Sequence, residues 1–136
     1  METAQVKRGR LIDHLGLKVA DLAKSRRFYT AVLEVLNVPV IDSSTGFCAD
    51  ELFIDQGDPR TSCHLAFQAP DSETVRRAHA AGLAAGGRDN GGPGLRDYHP
   101  NYYAGFLLDP DGNNIEVVFH GPAERSAAAV TITWND

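Results

Sequence analysis

Two histidines and one glutamate are the residues of this sequence whose types best suit a shared chemical task. His14 and His64 each lie near the start of an apolar stretch, and Glu116 lies in the last such stretch before the C-terminal tail. Two neutral imidazoles and one carboxylate form a good ligand set for Zn, Ni, Mn, Co or Fe, and they leave positions open for a substrate. On this interpretation the cofactor is one divalent metal ion.

The same residues also have a purely structural interpretation. A single histidine on a strand is more often a hydrogen-bonded structural residue than a metal ligand, and a lone glutamate on a strand carries little information. Residue types and spacing therefore leave both interpretations open. The choice depends on whether the elements that carry the three side chains bring them together.

Each histidine begins a similar succession of elements. Residues 11–19 alternate as in a half-buried strand, Asp21 offers a helix N-cap, and apolar residues then recur at helical spacing. Residues 38–55 suit short antiparallel strands. The same order begins again near Thr61, with a second helix that ends at Gly86-Gly87. This pattern indicates an internal structural repeat of about 50 residues.

The second half closes with a loop and a hairpin. Residues 88–100 are rich in glycine and proline, which favours a rim or lid over regular structure. Residues 102–108 are expected to pair with residues 114–120 through a type I turn at Asp109-Pro110-Asp111-Gly112. In the last strand Glu116 alternates with the most apolar row, so it faces away from that row.

Composition limits the class of protein. A chain of 136 residues with 43% hydrophobic residues is long enough for one domain. Its net charge of -5, without a basic run, argues against nucleic acid as a partner. No apolar stretch has the length of a membrane span, and residues 1–10 lack the pattern of a secretory signal. With only Cys48 and Cys63 as thiols, we expect a cytoplasmic protein.

Three segments together resemble the vicinal oxygen chelate superfamily, which includes glyoxalase I, bleomycin-resistance proteins, extradiol dioxygenases and fosfomycin-resistance transferases. They are Asp-His-Leu-Gly-Leu-Lys-Val at 13–19 followed by Ser-Arg-Arg-Phe-Tyr at 25–29, Cys-His-Leu-Ala-Phe at 63–67, and Leu-Asp-Pro-Asp-Gly-Asn-Asn-Ile-Glu at 108–116. The last segment is the most specific. The resemblance covers about residues 11–120, nearly the whole domain.

The resemblance implies an α+β fold of two βαβββ modules that form a cupped mixed sheet. The single domain would comprise residues 1–136, with module one at about 10–57, module two at about 61–120 and a tail at 121–136. The tail strand at Val130 to Trp134 is expected either to add an edge strand or to dock on a partner.

The resemblance also implies the roles of particular residues. His14, His64 and Glu116 match the metal-ligand positions of the metal-dependent members. The expected substrate cup includes three residues of the predicted strands, namely Phe53, Asp55 and Phe106. A homodimer in which His14 is donated across the interface is a further expectation.

Departures from the family pattern narrow the activity. Glyoxalase I members use a fourth ligand, a glutamate late in the first module, for which the nearest candidates here are Glu51 and Asp55. Extradiol dioxygenases and fosfomycin transferases resemble each other in placing a tyrosine ten residues before the glutamate ligand, where this chain has Phe106. Fosfomycin enzymes also favour a threonine two residues after the first histidine, where this chain has Gly16.

Two functions from different classes follow. The first is a metal-dependent glyoxalase-like enzyme that acts on a small oxygen-chelating substrate, with lactoylglutathione-lyase-like isomerisation as the nearest named reaction. His99 and Tyr103 are its candidate proton-transfer residues, although His99 also suits a rim position. The alternatives are a ligand-sequestering protein of the bleomycin-resistance type, or an extradiol-dioxygenase-like or thiol-transferase-like enzyme.

Overall fold

Two successive halves of the chain each fold into a mixed sheet backed by one helix. The computed structural model describes residues 3–9, 12–124, 127 and 129–135. The elements are β1 (Thr3–Arg8), β2 (Leu15–Val19), α1 (Leu22–Val35), β3 (Ile41–Asp42), β4 (Gly46–Ala49), β5 (Leu52–Gln56), β6 (His64–Gln68), α2 (Ser72–Ala84), β7 (Arg88–Asp89), β8 (Gly94–Arg96), β9 (Tyr102–Leu108), β10 (Asn114–Phe119) and β11 (Val130–Asn135).

The first module is a four-stranded sheet with the strand order β2-β5-β4-β3. Strands β2 and β5 are parallel, and the other pairs are antiparallel. Helix α1 crosses from β2 to β3 and begins at Asp21, whose carboxylate accepts a hydrogen bond from the backbone N–H of Lys24 at 3.1 Å. Its buried face packs Phe28 and Val32 into the core.

The second module repeats this plan, with the strand order β6-β10-β9-β7 and a parallel pair of β6 and β10. Strand β8 continues along the same edge of β9 as β7. Helix α2 begins at Asp71, whose carboxylate accepts a hydrogen bond from the N–H of Thr74 at 2.7 Å. The predicted α+β fold of two βαβββ modules is therefore confirmed.

The turn between β9 and β10 is built around one buried carboxylate. Asp109 is 1% exposed, and its oxygens accept hydrogen bonds from the backbone N–H groups of Asp111 and Asn113. The hydroxyl of Tyr29 on α1 donates to the same carboxylate at 2.6 Å. This hydrogen bond joins the two modules, because it links the first helix to the last hairpin.

The modules also meet through their helices, with α1 packed directly on α2. Gly82 on α2 permits a close approach, since a Cβ at this position would lie 2.5 Å from Leu107 of β9 and 3.0 Å from Val32 of α1. Within the described residues, no backbone ladder joins the sheet of the first module to that of the second. Within the described part of one chain, the two sheets of the expected cup are therefore separate.

The chain termini add a two-stranded ribbon, in which β1 and β11 pair antiparallel from Thr3↔Asn135 to Arg8↔Val130. The sequence left the role of the tail open and did not indicate β1. The ribbon contacts the first module through Arg8, whose guanidinium donates to the carbonyl oxygen of Asp50 at 2.7 Å. Among the helices of the described residues, none has the length and apolar character needed to cross a membrane.

Candidate functional site

The face of the second sheet that points away from α2 gathers the chemistry-bearing residues. Glu116 on β10 lies opposite Ala66 on one side and Phe106 on the other. His64 begins β6 one pleat before Ala66, so its side chain projects from the same face. The predicted residues His64, Glu116 and Phe106 are thus brought together by strand register.

His64 and Glu116 form a close pair. The Nε2 atom of His64 lies 3.1 Å from the Oε1 atom of Glu116. The glutamate side chain is only 5% exposed, whereas the histidine side chain is 49% exposed. The other ring nitrogen of His64, Nδ1, lies 2.9 Å from the carbonyl oxygen of Asn114. That oxygen only accepts, so Nδ1 carries a proton.

This tautomer has a chemical consequence. In a neutral His64 with the proton on Nδ1, Nε2 is an acceptor that faces a carboxylate acceptor. Two acceptors at this distance repel unless a proton or a cation lies between them. The separation is one that two ligands of a single ion can span with bonds of about 2.0–2.2 Å. The backbone hydrogen bond to Nδ1 is the outer contact that metal-ligating histidines use. The pair therefore fits two of the three protein ligands predicted for a divalent cation.

Tyr102 is a site residue that sequence reasoning missed. Its hydroxyl donates a hydrogen bond to the Oε2 atom of Glu116. Tyr102 lies on the same face of β9 as Ala104 and Phe106, and its hydroxyl reaches the carboxylate from two pleats away. Burial, and second the hydrogen bond to Glu116, raise the pKa of Tyr102 to about 12. The hydroxyl thus keeps its proton and remains a donor.

The neighbouring Tyr103, a predicted proton-transfer residue, faces the opposite side of β9. Its ring packs against the core, and its hydroxyl accepts a hydrogen bond from Arg76 of α2 at 3.1 Å. The alternation of side chains along a strand is the signal that distinguishes the two tyrosines. Tyr102 lies on the same face of β9 as Phe106, and Tyr103 lies on the opposite face.

His99, the other predicted proton-transfer residue, lies at the rim of the same sheet. Its Nε2 atom is 2.9 Å from the Nδ1 atom of His120, and the two rings are stacked. The His99 ring also meets the ring of Tyr102 edge to face, with centroids 5.0 Å apart. His99 is therefore connected to Glu116 through Tyr102, although it does not contact the glutamate itself.

His14 lies apart from this pair. It precedes β2 directly, its side chain is 65% exposed, and its Nδ1 atom is 2.9 Å from the carboxylate of Asp13. Its ring meets Phe53 edge to face at 5.7 Å. Among the described residues, no three His, Cys, Asp or Glu side chains are close enough to hold one ion. One chain thus brings together two of the three predicted ligands, because His14 belongs to the other sheet.

The strand registers of the two modules identify what occupies the fourth ligand position of glyoxalase I members. In the second module, Glu116 pairs with Ala66, two residues after His64. In the first module, Phe53 pairs with Gly16, two residues after His14. Phe53 therefore stands in the first module where Glu116 stands in the second.

Asp55, a predicted substrate-cup residue, lies one pleat beyond Phe53 on the same face of β5. Its carboxylate is 3.1 Å from the ammonium of Lys18 and 3.2 Å from the hydroxyl of Thr45. Lys18 of β2 and Thr45, directly before β4, hold the carboxylate in place. Asp55 is thus engaged within its own sheet and does not reach His14.

An open groove between the two helices lacks a histidine–carboxylate pair. It has a volume of about 710 Å³ and is lined mainly by alanines and by Arg26 and Arg27. It does not touch His64 or Glu116. Chemistry rather than volume therefore selects the face of the second sheet as the candidate site.

Comparisons with known proteins agree with the fold. The profile of the Glyoxalase/Bleomycin resistance protein/Dioxygenase superfamily matches residues 35–117. A glyoxalase/bleomycin resistance protein from Albidiferax ferrireducens T118 is 31% identical, with a TM-score of 0.68 over 79% of this chain and 97% of its own. The comparison with curated proteins gives no match.

Two further solved structures are more distant. A glyoxalase-related enzyme from Fulvimarina pelagi is 18% identical, with a TM-score of 0.65 over 89% of this chain and 97% of its own. A lactoylglutathione lyase from Agrobacterium tumefaciens is 21% identical, with a TM-score of 0.57 over 80% of this chain and 92% of its own. At these identities the likeness concerns the fold alone. The profile match and the 31% identical structure place the chain in the Glyoxalase/Bleomycin resistance protein/Dioxygenase superfamily.

Proposed function

We propose that this protein is a divalent-metal-dependent, glyoxalase-like enzyme whose site is completed between two copies of the chain. His64 and Glu116 of one copy and His14 of the other would hold the ion. The observation that carries the proposal is the approach of His64 Nε2 to Glu116 Oε1 at 3.1 Å, with Nδ1 of the same ring bonded to a carbonyl oxygen. A buried carboxylate facing an imidazole lone pair is arranged for a cation.

The strand order supports completion by a second copy. Strand β2 directly follows His14, and strand β6 begins with His64. Each of the two is an edge strand of its sheet. An open strand edge is a surface that another chain can cover. The apolar side chains of Ile12 and Leu15, on either side of His14, are exposed. A homodimer that joins β2 of one copy to β6 of the other would cover these side chains and bring His14 towards His64.

The chemistry would be that of a Lewis acid. A bound divalent ion supplies electrostatic stabilisation to an enolate or oxyanion that forms on an oxygen-chelating substrate. Glu116 would be oriented by the Tyr102 hydroxyl, which stays protonated because its pKa is raised to about 12. His99 is the better of the two predicted proton-transfer residues, since it is exposed on the site side whereas Tyr103 is bonded to Arg76.

The position of Phe53 argues against the lactoylglutathione-lyase-like reaction in its usual form. A phenyl ring can neither ligate a metal ion nor accept a proton, and it occupies the position that corresponds to Glu116. A related isomerisation or group transfer that uses a base from the rim, such as His99, fits the residues better.

A second candidate function is ligand sequestration without chemistry, as in proteins of the bleomycin-resistance type. The phenyl ring at Phe53 favours it, because the first module then offers an aromatic surface where an enzyme would place a carboxylate. The two candidates differ in their need for metal. A cytoplasmic location remains a prediction for either function.

Elemental analysis of the purified protein after incubation with Zn, Ni, Mn, Co or Fe(II) tests the proposal. We expect about one ion per chain in the wild type and almost none in the His64→Ala and Glu116→Gln variants. His120→Ala is the matched control, because this exposed histidine directly follows β10 and lies outside the proposed ligand set. Wild-type protein that stays metal-free with every cation contradicts the enzyme and favours sequestration.

A further inference from the structure

The glycine-rich segment before β9 encloses the guanidinium of Arg96. The Nη2 atom of Arg96 donates to the carbonyl oxygen of Gly92 at 2.8 Å. A Cβ at Gly91 would lie 3.3 Å from Nη2, and a Cβ at Gly94 would lie 3.2 Å from Nη1. Side chains at these positions would press on the guanidinium. The breaker-rich sequence of the predicted rim thus makes room for one arginine head group.

The enclosed guanidinium faces the candidate site. Arg96 pairs with Tyr102 in the β8–β9 register, so both side chains lie on the face that carries Glu116. The Cζ atom of Arg96 is 5.3 Å from the centroid of the Phe106 ring. The other neighbour of that ring is His64, stacked at a centroid distance of 6.5 Å. Phe106 therefore lies between a fixed cation and the proposed metal ligands.

Arg96 has no carboxylate partner within 4.0 Å among the residues that the structure describes. Arg8 makes the contrast clear, since it also lies over a phenyl ring, that of Phe53 at 5.4 Å, but is 3.5 Å from the carboxylate of Asp13. In a chain with a net charge of -5, an arginine that is held by carbonyl oxygens alone keeps its positive charge for a ligand.

We propose that Arg96 binds the anionic group of a ligand whose opposite end chelates the metal ion held by His64 and Glu116. The ligand class is a small molecule with an acidic oxygen group, an apolar or aromatic middle that passes beside Phe106, and a pair of neighbouring oxygens. A planar carboxylate suits the guanidinium fork best. This inference rests on the proposed metal site and adds the charge and shape of its ligand.

The probe is 3,4-dihydroxybenzoate, which has a vicinal oxygen pair, an aromatic ring and a carboxylate in the required order. Its neutral counterpart is 3,4-dihydroxybenzamide. Calorimetric titration of zinc-loaded wild-type protein is expected to show affinity for the acid roughly 10- to 100-fold higher than for the amide. Arg96→Met is expected to remove this preference, and Arg96→Lys to keep part of it. Arg77→Met, at an exposed position on α2, is the matched control and should keep all of it.

Metal content and the thermal melt of each variant are measured beside the titrations. Equal affinity for acid and amide in the wild type, binding of neither, or a preference that survives in a folded Arg96→Met variant overturns the role of Arg96. A wild type without metal that still prefers the acid through Arg96 supports the anion site and contradicts the metal site. The two failures are therefore distinguishable.

Discussion

Replacing Tyr102 by phenylalanine removes one hydroxyl from the candidate site and leaves the ring in place. The buried Glu116 carboxylate then loses the donor to its Oε2 atom. Because a hydrogen bond to a charged group contributes about 1.5–3 kcal/mol, Tyr102→Phe is expected to lower the free energy of unfolding of the metal-free protein by that amount.

The charge of Glu116 sets this magnitude. In a Glu116→Gln background the same hydroxyl meets a neutral amide oxygen, so Tyr102→Phe is expected to cost only about 0.5–1.5 kcal/mol. The coupling between the two positions is the difference, about 1 kcal/mol. If the free energy of unfolding falls by about 2 kcal/mol per molar urea, Tyr102→Phe in the otherwise wild-type chain lowers the urea midpoint by roughly 0.7–1.5 M.

The free energies of unfolding of four proteins are measured by urea unfolding in the presence of a chelator, followed by far-UV circular dichroism. The proteins are the wild type, Tyr102→Phe, Glu116→Gln and the double variant. Tyr98→Phe is the control, since this exposed tyrosine lies beside Tyr102 with ring centroids 4.9 Å apart. The control substitution is expected to leave the free energy of unfolding within about 0.5 kcal/mol of the wild type. An equal loss in the wild-type and Glu116→Gln backgrounds, or a loss no larger than that of the control, refutes the charged hydrogen bond.

Three further outcomes are expected. Subtracting the absorbance titration of the Tyr102→Phe variant from that of the wild type should show Tyr102 ionising near pH 12. Folding raises the pKa of Tyr102 from an ordinary value of 10.0, so its contribution to stability is full below pH 10 and is lost as the pH rises through about 12. A titration midpoint of Tyr102 near pH 10 contradicts this. Tyr29→Phe, which removes a donor from the buried Asp109, should cost about 1.5–3 kcal/mol in a urea titration with metal content unchanged, and a loss under about 0.5 kcal/mol argues against the link between modules. Phe53→Glu should raise metal affinity in a competition titration with a chelator, and an unchanged affinity argues against its equivalence to Glu116.

Local patterns in the sequence located both helices and most strands of the two modules, but not β7 and β8, which lie in the segment 88–100 where no regular structure was expected. Alternation located the longer strands, the N-cap at Asp21 located the first helix, and the Asp-Pro-Asp-Gly turn located the last hairpin. The approach of His64 to Glu116 was implied by the family resemblance and not by spacing, and in the structure it follows from the parallel pairing of β6 with β10. These features depend on short-range backbone preferences or on one sheet.

The remaining features depend on contacts between sheets or across several strands. Tyr102 contacts Glu116 although it lies two pleats along β9 from Phe106, the residue that pairs with Glu116, and the sequence does not indicate that contact. The separation of His14 from His64 follows from how two sheets are arranged, which no local pattern specifies. The β1–β11 ribbon joins residues at opposite ends of the chain, and the short β1 strand has only Ala4 and Val6 as alternating apolar residues.

Complementation between two inactive variants tests the central claim most directly. His14→Ala and His64→Ala proteins are each expected to bind no metal alone. If His14 of one copy and His64 of the other share an ion, unfolding and refolding an equal mixture creates mixed dimers with one intact site each. Random pairing then predicts about one ion per four chains. A mixture that stays metal-free while the wild type binds about one ion per chain contradicts a site shared between copies.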